Sequence, residues 1–165
     1  MRNVQKLRDG GGYMFEDRYK NALRLNIDAH GPMIGKTSYP VIGNHPQSPE
    51  ELLALLKRRK VDLSRYAHIR LIVCDSATGG PDSYAQRLAT LSGIPVKGFE
   101  GEVFAQVNAA GALTQHASRR GMKVTTSLRL PFAEESVIFK KNPFKPWDDP
   151  HDFISFRYSP VHFKP

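Results

Sequence analysis

The sequence predicts one α/β domain built on a mostly parallel central sheet. Three observations carry this reading. Two short hydrophobic runs, ALRLNIDA at 22–29 and IRLIVC at 69–74, are separated by a strongly capped helical segment. A second helical segment then leads to a third run, IPVKG at 94–98. Connections of this length are crossovers, and the order β–α–β–α–β is the pattern of parallel strands with helices packed on the sheet.

The elements follow in order. Residues 1–12 read as a flexible arm ending in Gly10-Gly11-Gly12. The run at 22–29 alternates apolar and polar residues and stops at His30-Gly31-Pro32, where proline ends the hydrogen-bond ladder. Residues 31–47 form a loop or short hairpin. Ser48-Pro49-Glu50-Glu51 is a helix start, with Ser48 as cap, Pro49 at the first helical position and Glu51 closing a capping box. Leu52, Leu53, Leu55 and Leu56 supply its buried face, and it ends near Lys60. The run at 69–74 has little polar content, as a strand covered on both faces would. Asp75 to Gly80 is a loop of small residues, followed by a helix with Tyr84, Leu88 and Leu91 at helical spacing and Gly93 as C-cap. Further strands are expected at 103–107, 122–130 and 135–140. Residues 141–165, rich in proline and phenylalanine, read as an irregular tail packing on the domain.

The chain of 165 residues suits a single domain, 1–165, large enough to bury a core without disulfides. Its one cysteine, Cys74, excludes an intramolecular disulfide and a cysteine-rich zinc site. The histidines at 45, 68, 116, 151 and 162 have no metal-ligand spacing, and no cofactor is expected. The first thirty residues carry no apolar signal segment, and no run approaches the ~18 apolar residues of a membrane span. A net charge of +8 favours an anionic partner or a solvated basic surface. The basic residues lack the aromatic interleaving of a single-strand binder, so nucleic acid is not the expected ligand.

The chemistry concentrates at two strand ends. In open α/β sheets, ligands and reacting groups gather at the C-terminal edge of the parallel strands. His30 and Cys74 both fall there. A thiol must ionise to attack a carbonyl, and a neighbouring imidazole accepts its proton and later protonates the leaving amine. The N–H groups of Gly31 and Cys74 are candidates for an oxyanion hole, worth about 3 kcal/mol per donor in favourable cases. Asp28 could orient the imidazole. Asp75 and Ser76 could line a specificity pocket, though turn formation is their commoner use. Glu100 and Glu102 could form an acidic pocket for a basic side chain.

A hydrophobic block then His-Gly, and a second block then Cys, resembles the caspase–gingipain–legumain type of cysteine peptidase. The matching segments are LRLNIDAHG at 23–31 and IRLIVCDSATGG at 69–80. The stretch 74–98, with Ala85-Gln86-Arg87-Leu88-Ala89 and Gly93-Ile94-Pro95-Val96, is similar to domains at the C-termini of Rhs and related polymorphic bacterial toxins, and the self-cleaving peptidase domains of RTX toxins belong to the same group. The resemblance covers about residues 22–98. It implies a caspase-like three-layer α/β/α fold, His30 as general acid/base, Cys74 as nucleophile and a protein substrate. It also implies a bacterial effector or toxin delivered by a specialised secretion system, with room for an immunity protein or an anionic activator. Val73 stands where many of these peptidases have a small residue, and residues 99–165 match no subfamily. The rival expectation is a non-catalytic basic module that holds an anionic partner, nucleic acid or phosphoinositide.

Overall fold

The computed structural model describes residues 2–101, 103, 105–106, 137–138 and 160–165. Strands β1 (Arg2–Arg8), β2 (Gly11–Tyr19) and β3 (Ala22–Asp28) come first. Two miniature hairpins follow, β4 (Met33–Ile34) with β5 (Thr37–Ser38) and β6 (Val41–Ile42) with β7 (His45–Pro46). Helix α1 (Pro49–Arg58), a 3₁₀ turn (Leu63–Arg65) and β8 (His68–Ile72) complete one crossover. A second 3₁₀ turn (Gly80–Asp82), α2 (Tyr84–Ser92) and β9 (Val96–Phe99) complete the next. The short strands β10 (Ala105–Gln106) and β11 (Val137–Ile138) pair with each other, and β12 (Pro160–Phe163) closes the described chain.

The main sheet has the order β1-β2-β3-β8-β9-β12. Its centre, β3-β8-β9, is parallel, as the crossovers require. The flanking pairs β1-β2, β2-β3 and β9-β12 are antiparallel, so the sheet is mixed rather than mostly parallel. The expected arm is the reason on one side. Residues 2–8 are a strand, joined to β2 through a two-residue Asp9-Gly10 turn in which Arg8 faces Gly11. Gly10 has φ +90°, a conformation glycine adopts without cost, and Asp-Gly is a strong hairpin signal. On the other side, residues 160–163 of the expected tail form an edge strand on β9. The strand expected at 122–130 lies outside the described residues.

The helices form as the capping residues dictate. Ser48 accepts from the Glu51 backbone, and the Glu51 side chain accepts from the Ser48 backbone. Ser83 caps α2, and Gly93 ends it in the left-handed region. Both helices pack on one face of the sheet and against each other, as successive crossovers running in one direction demand. Leu52, Leu56, Ala85, Leu88 and Ala89 meet Leu25, Ile27, Ile69, Leu71 and Val96 there, all at most 2 % exposed. Each large apolar side chain so placed contributes about 1.5–3 kcal/mol. Among the described residues the helices therefore make one layer on the sheet.

The opposite face is built from the alternate residues of the same strands. Here Asp17, Arg24, Asn26 and Arg70 form a row across β2, β3 and β8. Asp17 accepts from Arg24 Nε at 2.7 Å, from Asn26 Nδ2 at 2.8 Å and from Arg70 Nη2 at 3.4 Å. Arg70 Nε also donates to Asn26 Oδ1. Beside this row Phe15, Ile72, Phe99 and Val103 make a small apolar cluster against which Cys74 packs.

Candidate active site

The β3–β8 ladder brings the two predicted strand ends together. Its last paired residues are Asp28 and Ile72, and Ala29 N–H still donates to the Ile72 carbonyl at 3.3 Å. His30-Gly31 and Val73-Cys74 continue from there, on strands that run about 4.8 Å apart. Gly31 shows how close they come. A Cβ there would stand 2.3 Å from Val73 Cγ1, 2.7 Å from Ser38 Oγ and 2.9 Å from the Cys74 carbonyl oxygen. Glycine after the histidine is thus required for the two ends to meet.

Ser38 locks this junction. It is 1 % exposed, and its hydroxyl lies within hydrogen-bonding distance of two carbonyls, 2.5 Å from that of Cys74 and 3.1 Å from that of Gly31. The chain around it is tied down by Tyr39 N–H to Pro32 O at 3.1 Å and by Val41 N–H to His30 O at 2.8 Å. His30 itself is exposed. The Cys74 sulfur is partly buried, 3.4 Å from both the nitrogen and the oxygen of Val103. It also packs against the apolar cluster of Phe15, Ile72, Phe99 and Val103.

The remaining predicted residues divide by role. Asp28 is partly buried, on the face away from the helices. Burial pushes its carboxyl up to about 7 against the opposing charge of Arg70, so it exchanges a proton near neutrality. Asp75 adopts φ +54°, the left-handed region that aspartate tolerates, directly after Cys74. Its carboxylate accepts from Thr78 Oγ1 at 3.0 Å and from Gly101 N–H at 3.1 Å, so it shapes the turn. Ser76 is fully buried, accepts from Phe99 N–H at 3.1 Å and donates to the Leu71 carbonyl. Asp75 and Ser76 fasten the loop after Cys74 to the end of β9. Glu100 is exposed beside Gly101, and Glu102 lies outside the described residues.

Sequence reasoning passed over Ser38 and the charged row. The row had a signal: Arg24, Asn26 and Asp28 occupy every second position of β3, and His68 and Arg70 do the same in β8. For Asp17, burial pushes the carboxyl up, but the hydrogen bonds from Arg24 and Asn26 and the charges of both arginines outweigh it and hold it below its ordinary range. For His68, burial, then the charges of Arg24, His162, Lys97 and Arg70, lower the imidazole to about 4, and its buried Nε2 has no hydrogen-bond partner among the described residues. This ring is neutral at physiological pH.

Two cavities among the described residues, of about 180 and 460 Å³, are lined by neither His30 nor Cys74. Among the described residues no group of three metal-ligating side chains occurs, and none of their helices is long and apolar enough to cross a membrane. No curated protein and no solved structure matches the chain. A family model does, over residues 25–129, and this span takes in the end of β3 from Leu25, both crossovers, His30 and Cys74. Its description, secreted effector protein SteB, agrees with the expectation of a bacterial effector and carries no statement of peptidase activity. By that match over most of its length, the chain belongs to the SteB family of secreted effector proteins.

Proposed function

We propose that this effector is a cysteine peptidase in which Cys74 is the nucleophile and His30 its acid and base. The observation that carries the reading is the β3–β8 register, which runs His30-Gly31 alongside Val73-Cys74 at the edge where α/β sheets do their chemistry. In the reaction the Cys74 thiol gives its proton to His30, and the thiolate forms a bond to the scissile carbonyl carbon. The imidazolium returns the proton to the leaving amine as the C–N bond breaks. Water then hydrolyses the thioester, with His30 accepting its proton. The N–H groups of Gly31 and Cys74 take the oxyanion in this scheme. A caspase-like third layer, a protein substrate, an immunity protein and an anionic activator belong to the same reading. So does delivery to a target cell by a specialised secretion system, which the family's description as secreted effectors supports.

The test needs no known substrate. The rate of Cys74 alkylation by iodoacetamide, measured against pH on the full chain, should titrate well below the ~8.5 of an ordinary thiol. His30→Ala should return the profile to that value. Cys74→Ala and His30→Ala should each lower cleavage or toxicity by about 10²–10⁴-fold or more with the fold intact. Identical alkylation profiles for the wild type and His30→Ala would sink the dyad.

A second reading has its own support. Lys57, Arg58, Arg59 and Lys60 are exposed at the end of α1, and Arg8, His45 and Arg58 line the cavity of about 460 Å³. A basic binding module would use this surface. Association with anionic vesicles or nucleic acid that weakens steeply with salt, together with full function in Cys74→Ala, would favour it.

A further inference from the structure

Two carbonyls converge on one hydroxyl where the chain leaves β3 and β8. The Ser38 Oγ stands 2.5 Å from the Cys74 oxygen and 3.1 Å from the Gly31 oxygen. A serine hydroxyl has one proton to donate, so the closer Cys74 carbonyl takes most of it and the Gly31 carbonyl shares the rest. Two carbonyl oxygens carry like partial charges and repel one another unless a donor stands between them. The proton of Ser38 is what lets the two strand ends face each other here.

Each of these carbonyls aims a member of the dyad. The Cys74–Asp75 peptide is gripped on both sides. Its oxygen accepts from Ser38, and its N–H, that of Asp75, donates to the Gly101 carbonyl at 2.8 Å. This peptide leads directly from the Cys74 Cα, so its plane helps aim the sulfur. The Gly31–Pro32 peptide has no N–H, because proline lacks one, so a hydrogen bond can hold its plane only through its oxygen. Ser38 supplies that bond, next to the Val41 N–H that holds the His30 carbonyl.

Ser38 is itself anchored. It is 1 % exposed and pairs with Met33 across the β4–β5 hairpin. Its neighbour Tyr39 donates its N–H to the Pro32 carbonyl and sets its ring edge-on against Tyr84 at the start of α2, with ring centroids 5.8 Å apart. The hydroxyl is therefore fixed from the sheet edge and from a helix at once.

We infer that Ser38 is a positioning residue of the dyad, its hydroxyl holding the His30 and Cys74 strand ends at the spacing that proton transfer needs. The inference rests on the dyad reading, and it assigns to a residue outside the dyad the coupling between thiol and imidazole.

Iodoacetamide alkylation of Cys74 across pH, on the full chain and its variants, tests it. Ser38→Ala should raise the alkylation midpoint by about 0.5–1 pH unit toward the ~8.5 of an ordinary thiol, a loss of about three- to ten-fold in thiolate below the midpoint. Ser38→Thr keeps a hydroxyl and should keep the wild-type midpoint. Leu56→Ala, a fully buried position in the last turn of α1, should weaken the fold and leave the midpoint in place. If His30→Ala shifts the profile and Ser38→Ala does not, the positioning role falls and the dyad stands. If His30→Ala leaves the profile unchanged, the dyad falls and the inference with it. A Ser38→Thr profile equal to that of Ser38→Ala, or an equal shift in Leu56→Ala, would assign the effect to packing and overturn the role of the hydroxyl.

Discussion

The two faces of the central sheet use the same strands for opposite purposes. On the helix side Leu25, Ile27, Ile69, Leu71 and Val96 are apolar and sealed. On the far side, one residue along, stand Arg24, Asn26, Arg70 and Lys97, also buried but charged or hydrogen-bonding. Burial is similar and chemistry is not. The apolar face is stabilised by removal from water and needs only shape. The polar face is stable only while each group keeps its partner, and so it fixes geometry more tightly than it adds free energy. The Cys74 side chain packs on this second face, and Asp28 ends its row in β3.

The comparison can be broken from either side. Leu71→Ala opens a cavity in the apolar face where both crossovers meet, and denaturant unfolding should show a loss of about 3–4 kcal/mol. Asp17→Asn leaves Arg24 and Arg70 without their shared carboxylate. The same measurement should show a smaller loss, about 2–3 kcal/mol, since the carboxylate side chain is 21 % exposed. A loss greater than that of Leu71→Ala would reverse the ranking of the two faces.

The smallest effect is the most diagnostic, because its sign is opposite. Asp28 titrates near 7 when folded against 3.8 as a free group. Between those values the folded state holds the extra proton, so this group's contribution to stability falls as pH rises from about 4 to 7. Asp28→Asn should therefore be neutral near pH 4 and stabilising by about 1–2 kcal/mol above pH 7, read from midpoints across pH. Destabilisation at pH 8 would mean that the charged carboxylate is a wanted member of the polar row. Asp17 behaves in the ordinary sense. Its lowered value contributes stability above the unfolded carboxylate range, and that stability is lost as pH falls below it.

Much of the fold was legible where one segment decided the outcome alone. Ser48 to Glu51 could be read as a capping box, Gly93 as a C-cap and 22–28 as a strand, because caps and alternation act within a few residues. The arm at 1–12 was misread although Asp9-Gly10 marked a hairpin, since glycine repeats also fit a linker. Residues 160–163 had no local strand signal strong enough to outweigh Pro160, and pairing with β9 supplied it. Of the candidate site, His30 and Cys74 could be read as strand ends. Ser38 could not, because its significance lies in two carbonyls that are remote from one another in the chain.

The sequence by itself determined the crossovers, the helix boundaries and the fact that a histidine and a cysteine each stand just past the end of a parallel strand. Those follow from local hydrogen bonding and from the two periodicities of helix and strand. Only the tertiary structure decided how near the two ends stand and why Gly31 is needed between them. It also decided that the residues behind Asp28 form a buried charged row, and that Glu16 of β2 meets Tyr66 across the chain. Those depend on register between strands far apart in the chain, and register is set by the packing of the whole sheet rather than by any one segment.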